Sequence, residues 1–312
     1  MTPPTDREEI LARIAEVPHW HHAIPITPEI TTPGVQHSAA MIETVQIPED
    51  CTGMRVLDIG ARDGLFSFEA ERRGATEIVA LDNVPPEKTG FAVAKELLGS
   101  KAEYVTDNVY NLSAERFGTF DLVFFFGVLY HLRHPLLGLD RIWDVCNDGA
   151  LMYVETHMMD EGVVQWDGTF KKLDDYHPDL KDLPLVQFFP GTMLANDFTS
   201  KWGPSQVGLR GMLEAAGFDT TREWMVATRG GATTVARGQL DGGRAADGAA
   251  AWDLVANTII KPTAYSPPVP EAPAVPAASP VVEAPPEAPV APAALVAAAA
   301  VGKDKPKRFW QR

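Results

Sequence analysis

Cysteine is scarce: the 312 residues hold only Cys51 and Cys146. Their spacing suggests neither a metal site nor a redox pair, so a disulfide framework is excluded and a reducing, cytoplasmic setting is expected. Basic charge is also thin, with 27 Lys and Arg against 42 Asp and Glu, a formal net charge of −15. Phosphate backbones are bound by clustered Lys and Arg, so this balance weighs against a nucleic-acid partner without excluding a local basic groove. No apolar run of spanning length occurs outside an Ala/Pro tract near the C-terminus, and no membrane span is expected. The opening MTPPTDREEI has neither a basic nor an apolar leader region, so no signal peptide is read there.

What is present suffices for a sizeable core, since 45% of residues are hydrophobic. Thr5–Val17 reads as a helix with capping-box spacing from Thr5 to Glu8 and one apolar face of Ile10, Leu11, Ile14 and Val17. From residue 54 the pattern alternates. Strand-length apolar runs at Met54–Ile59, Glu77–Leu81, Glu103–Thr106, Leu122–Phe126 and Leu151–Glu155 are mostly separated by helical segments near Leu65–Arg73, Gly90–Leu98 and Pro135–Val145. Such alternation predicts a parallel sheet covered on both faces. Residues 161–203 break the pattern and are rich in aromatics, which reads as an insertion or lid packed by Trp166, Phe170, Tyr176, Phe188, Phe189, Phe198 and Trp202. Ser205–Ala216 reads as a helix stopped by Gly217. Trp224–Thr228 and Thr233–Arg237 around Arg229-Gly230-Gly231 read as a hairpin that ends the sheet on an antiparallel edge.

Eleven of the 26 prolines fall between Pro262 and Pro292. That density predicts a disordered, polyproline-like tail, closed by a small basic-aromatic patch at Lys303–Arg312. The expected organisation is an N-terminal helix and lid (1–50), a cofactor-binding core (51–160), an insertion completing the sheet (161–262) and the tail (263–312). The expected fold is a doubly wound, Rossmann-like α/β sheet of seven strands with an antiparallel edge strand.

The run V-L-D-I-G-A-R-D-G-L-F-S-F-E, Val56–Glu69, carries the chemistry. An apolar strand leads to Asp58, then Gly60 and Gly64, then a helix. Glycines serve where backbone must approach a ligand closely, and open α/β sheets bind ligands at the carboxyl ends of their strands. Asp82 ends the next strand, where a carboxylate can accept both hydroxyls of a ribose. A phosphate-binding loop would need G-x-x-x-x-G-K-[ST], and the lysine is missing. A dinucleotide loop would need a glycine where Arg62 stands, leaving NAD as a weaker fit. S-adenosylmethionine (SAM) has no phosphate, and its amino group suits the acid at Asp58. A ligand-free strand–helix turn is the plain alternative.

The segment V-L-D-I-G-x-x-D-G resembles motif I of the class I SAM-dependent methyltransferases. Trp20 to about Phe218 is similar to the branch containing tRNA wobble-uridine methyl- and carboxymethyltransferases. The matching pieces are Trp20–Ile24, Thr32–Gly34, Ala80–Asp82, Asp107–Leu112, Phe120–Pro135, Phe188–Gly191 and, loosely, Leu209–Phe218. The resemblance implies SAM along Gly60–Gly64 with Asp82 on the ribose, Asn108 and Val109 beside the adenine, and Gly127 near the cofactor. Asn108 stands where the family often has aspartate, and its carbonyl can still accept from the adenine amino group. No Lys or Arg is assignable to a carboxylate-holding role, so ordinary SAM is expected rather than a carboxylated form. In this context His19, His21 and His22 are expected in an N-terminal lid rather than in a metal cluster.

Methyl transfer is an in-line displacement in which alignment of reactants does most of the work. A hydroxyl acceptor also needs a base. His131 is the first candidate, since it follows the fourth strand and histidine titrates near neutrality. Tyr130 is the second candidate or a pocket wall, and Glu155 and His157 are further options; no metal is assigned. Three functions are consistent with this sequence. They are methyl transfer to a small-molecule or glycan acceptor, modification of a tRNA wobble uridine, and a non-catalytic SAM-binding scaffold. The acidic body favours the first over the second, and the intact glycine loop with Asp82 disfavours the third.

Overall fold

The computed structural model describes residues 6–34, 42–43, 45, 47–159, 162–194 and 196–220, with the backbone alone of Lys181, Trp224–Ala227 and Thr233–Gln239. The chain divides into two units, Met1–Gly243 and Arg244–Arg312. The expected tail, its basic-aromatic patch and the turn at Arg229-Gly230-Gly231 lie outside the described residues.

Helix α1 (Arg7–Ala15) is capped by Asp6, whose carboxylate accepts from the backbone N–H groups of Glu8 and Glu9. The cap is thus not the Thr5–Glu8 box read from the sequence. An anionic cap satisfies two orphan donors and also complements the helix dipole. Ile10 and Ile14 are buried, whereas Leu11 is exposed at the margin of the apolar stripe. A small antiparallel hairpin follows, β1 (Pro25–Thr27) with β2 (Ile30–Thr31).

The alternating region comes next. It runs β3 (Arg55–Ile59), α2 (Leu65–Arg72), β4 (Glu77–Asp82), α3 (Phe91–Leu98), β5 (Glu103–Thr106), the one-turn α4 (Ala114–Phe117), β6 (Phe120–Phe126), α5 (Pro135–Trp143) and β7 (Cys146–His157). Strands β3 to β7 pair in parallel. Two short hairpins build the insertion, β8 (Gly162–Val164) with β9 (Phe170–Lys172) and β10 (Val186–Phe188) with β11 (Trp202–Pro204). Then come α6 (Gln206–Ala215), capped by the Ser205 side chain on Gly208 N–H, and β12 (Trp224–Ala227) with β13 (Thr233–Gln239).

The sheet order is β12-β13-β7-β6-β3-β4-β5. Strand β13 runs antiparallel to β7, and β12 runs antiparallel to β13. The hairpin thus lies at this end of the sheet, with both of its pairings antiparallel. The second arm of the hairpin pairs with β7, which leaves the first arm outermost.

Neighbouring residues on each strand enter opposite cores, as the pleat requires. Val56 and Phe124 join Ile10, Trp20, Phe66 and Phe91 on one face. Leu57 and Phe125 join Leu139, Ile142, Leu209 and Leu213 on the other. Strand β7 begins earlier than its apolar run, because Cys146 pairs with Phe120 before a bulge brings Leu151 opposite Leu122. Strand β3 connects onward to β4 on one side and borders β6 on the other. This reversal of direction opens a crevice at the carboxyl ends of β3 and β6, the place where doubly wound sheets take their ligands.

Candidate active site

The loop after β3 is held by backbone hydrogen bonds. Gly60 N–H donates to Leu81 O at 2.7 Å, and Gly64 N–H donates to Ala61 O at 2.8 Å. Gly60 and Gly64 have φ of +77° and +92°, where side chains are strained. A Cβ on Gly60 would lie 2.4 Å from Val128 Cγ2, and one on Gly64 would press on the Phe68 and Phe91 rings. The first contact also locates the loop against the turn that follows β6. Arg62, where a dinucleotide loop would have glycine, takes φ +50°. Its N–H donates to Asp82 Oδ2 at 2.9 Å.

Asp82 is buried at the end of β4, with its other oxygen accepting from Val84 N–H at 2.8 Å. Each carboxylate oxygen has a further lone pair. Two adjacent acceptors therefore remain for a vicinal diol, as the ribose of SAM requires. Gly60 and Gly64 add backbone that carries no side chain of its own, so these residues fit the cofactor.

Asp58 is placed differently from the expectation that it meets the amino group directly. Its Oδ2 accepts from Ser67 N–H at 3.0 Å and Ser67 Oγ at 2.7 Å, tying β3 to the first turn of α2. Burial pushes its carboxyl up to about 7, against the opposing pull of those Ser67 bonds. Asn108 is exposed and spends its carbonyl on Tyr110 N–H at 3.0 Å, capping a short 3-10 turn, while Val109 is buried beneath that turn.

Asp63 is a site residue that the sequence reading passed over. It is 1% exposed. Its Oδ2 accepts from His21 and His22 N–H at 2.6 and 2.9 Å, and its Oδ1 accepts from Gly90 N–H at 2.8 Å. The N-terminal segment is thus pinned to the glycine loop. Thr32 completes the attachment by donating to His22 O at 2.7 Å and accepting from Ile24 N–H at 2.8 Å. Burial, then the Arg62 charge, lowers His21; burial, then the His21 charge, takes His22 down to about 3. Among the described residues, no group of three or more His, Cys, Asp or Glu is arranged to hold a metal.

Across the crevice, Gly127 has φ +69° and donates to Glu155 O at 3.1 Å. A Cβ there would come within 3.8 Å of Glu155 Oε2 and 3.9 Å of Tyr130 Oη. Burial, then the charges of Glu155 and Asp197, pushes the Tyr130 hydroxyl above its usual range. His131, with its ring 4.1 Å from that of Tyr130, is lowered by burial more than it is raised by Thr199 and Asp197. His157 is lowered to about 4 by burial and packs its ring on Phe189 at 5.5 Å.

The insertion closes on this turn. Lys201 N–H donates to Tyr130 O at 2.7 Å, and Trp202 Nε1 donates to Leu132 O at 2.7 Å. Arg133, His134, Phe188, Phe189, Gly191 and Trp202 border a cavity of about 400 Å³ beside it. The insertion's aromatics do not mainly pack inward, as the sequence reading had it. Trp166, Phe170, Tyr176, Phe188 and Phe198 are exposed, and Phe189 alone of the seven is fully buried. Two-stranded sheets of three-residue strands present only one sheltered face, so alternate side chains must point outward.

A glycine turn at the end of β3, a buried acid at the end of β4 and a parallel doubly wound sheet are the frame of a SAM-dependent methyltransferase. Residues 37–223 match the methyltransferase domain family model, and the chain belongs to that family. Among curated relatives it is 28% identical over 158 residues to a tRNA U34 carboxymethyltransferase of Enterobacter sp. strain 638, covering 49% of this chain and 46% of that protein. It is 29% identical over 111 residues to a protein of the same description from Campylobacter hominis, covering 36% and 39%. The chain thus spans less than half the length of these relatives. A similar solved structure is the N-terminal domain of EvdMO1 in the presence of S-adenosylhomocysteine (SAH) and D-fucose. Its TM-score is 0.51 at 23% identity, over 76% of this chain and 97% of that one.

Proposed function

We propose that the enzyme transfers the methyl group of SAM to a hydroxyl of a small molecule or glycan, with His131 as the base. The observation that carries this reading is the place of His131, on the turn that meets the glycine loop through Val128, with its Nδ1 3.0 Å from Thr199 Oγ1. SAM supplies a methyl group already activated by its sulfonium. Gly60–Gly64 and Asp82 hold the cofactor, Val109 lines the adenine side, and Asn108 presents its amide at the rim. Asp58 acts on the methionine end by fixing the first turn of α2 through Ser67. The Gly127 turn leaves room for the acceptor, and Tyr130 donates a hydrogen bond to it. As the acceptor oxygen bonds to the methyl carbon, the carbon–sulfur bond breaks with its electrons left on sulfur, and the hydroxyl proton passes to His131. Placement of the acceptor against the methyl group is worth on the order of 7–11 kcal/mol in well-oriented systems.

The acidic chain and its two free cysteines support a reducing, cytoplasmic setting, and no helix among the described residues is long and apolar enough to cross a membrane. A second reading, modification of a tRNA wobble uridine, is favoured by the partial match to the two U34 carboxymethyltransferases. The test pairs labelled SAM with a panel of hydroxylated sugars, which the D-fucose in the EvdMO1 structure recommends, and with bulk tRNA at low salt. Label transferred to a sugar supports the first reading. Label transferred to tRNA alone replaces it with the second.

A further inference from the structure

Thr199, from the insertion, stands between His131 and a carboxylate. Its Oγ1 lies 2.6 Å from Asp197 Oδ1 and 3.0 Å from His131 Nδ1. A threonine hydroxyl owns one proton, and an ionised carboxylate can only accept. Burial opposes the charge of Asp197, but hydrogen bonds from Thr199 Oγ1 and N–H and from Ser200 Oγ outweigh it and hold the carboxyl below its usual range. The Thr199 proton is therefore committed to Asp197, and Thr199 Oγ1 meets His131 as an acceptor. A neutral imidazole carries a single N–H, and here Nδ1 must supply it. Nε2 is left with its lone pair.

We propose that Asp197 and Thr199 are positioning residues that hold His131 as its Nδ1–H tautomer, so that Nε2 is the atom that takes the acceptor's proton. The proposal rests on the reading of His131 as the base. The segment is anchored for the task, because Lys201 N–H bonds Tyr130 O one residue before His131. When Nε2 takes the proton, the imidazolium is balanced by the Asp197 charge across Thr199, with the Lys201 charge opposing. The logic is that of a buried acid orienting a catalytic histidine, with a hydroxyl interposed.

The tautomer is measurable without knowing the acceptor. The full chain, labelled with ¹⁵N-histidine, is studied by long-range proton–nitrogen correlation at about pH 8, above the ordinary histidine value. The His131 signals are identified by their loss in His131→Gln. The expected result is a protonated Nδ1 and an unprotonated Nε2 in the native protein. Thr199→Ser should keep that state, and Thr199→Val should move the ring to the Nε2–H form. Asp197→Asn should lower the His131 titration midpoint, since the lost charge raises it in the native protein. SAH affinity by calorimetry should stay within twofold in all three variants, which also reports that the fold is kept. An Nε2–H ring in the native protein overturns the proposal by itself. So does an unchanged tautomer in Thr199→Val, or an unchanged midpoint in Asp197→Asn should the valine variant fail to fold. Failure of His131 as base would appear separately, as turnover retained in His131→Gln.

Discussion

The two walls of the crevice are built on opposite plans. The cofactor wall is buried and closed: Asp58, Asp63 and Asp82 are each at most 5% exposed, and backbone or Ser67 donors reach all three carboxylates. The opposite wall is the turn after β6 with the short hairpins of the insertion, in which Trp166 and Phe198 are exposed at 81% and 71%. In the function proposed above this wall meets the acceptor, and its exposed loop side chains stand where specificity is ordinarily carried. One wall is thus locked and the other open.

The sharpest way to break this contrast is His131→Gln, which removes the base from the acceptor side alone. Turnover should fall about 10²- to 10⁴-fold, the usual worth of a base, while SAH affinity by calorimetry is unchanged. Equal losses in both would mean that the walls are not separable. Asp63→Ala should be the most costly change to stability, since it strands the buried N–H groups of His22 and Gly90, at about 1–3 kcal/mol each, and the half-buried one of His21. Chemical denaturation reads this directly, and a loss below about 1 kcal/mol would deny the N-terminal segment its anchor.

Asp82→Ala should weaken SAH binding by about 1.5–3 kcal/mol, the range for hydrogen bonds to a charged group. Undiminished affinity would remove the ribose assignment. Asp58 sharpens the comparison through pH. Its carboxyl lies at about 7 in the folded protein against an ordinary 3.8, so the folded state holds this proton more tightly than the unfolded chain. Its contribution to stability is full below about 4 and is lost as pH rises toward 7, at no more than about 1.4 kcal/mol per pH unit. The difference between native protein and Asp58→Asn in urea midpoints, followed from acid to neutral pH, should show that slope. A flat difference would contradict it. The smallest effect belongs to Trp166→Ala, which should change stability by less than about 0.5 kcal/mol because the ring is exposed. A larger loss would show that the open wall is packed after all.

The parallel core was legible because its strands are continuous apolar runs cut by glycine at their carboxyl ends. Gly60, Gly64 and Asp82 could be read because their spacing is local. Strand β7 was read short, since Asn147-Asp148-Gly149 looks like a turn and is absorbed as a bulge whose partners lie on β6. Asp63 stands in the motif read from the sequence, but its role was hidden because its partners are backbone groups 27 to 42 residues away. Likewise, His131 and Thr199 are separated by 68 positions, and only the folded insertion brings them to hydrogen-bond distance. Asp58 was read for its charge, whereas its burial and its Ser67 bonds decide what it does.

The Asp63 knot has a consequence for how the molecule is held together over time. Both cysteines of this chain are free, and no covalent cross-link restrains its N-terminal segment. One carboxylate instead gathers stretches as far apart in sequence as His21 and Gly90. Unlike a disulfide, a staple of this kind leaves the unfolded chain unconstrained, and it opens by thermal motion rather than by a reductant. The residue beside Gly64 therefore sets how often the N-terminal segment lets go of the glycine loop, and a change there tunes a rate as well as an equilibrium.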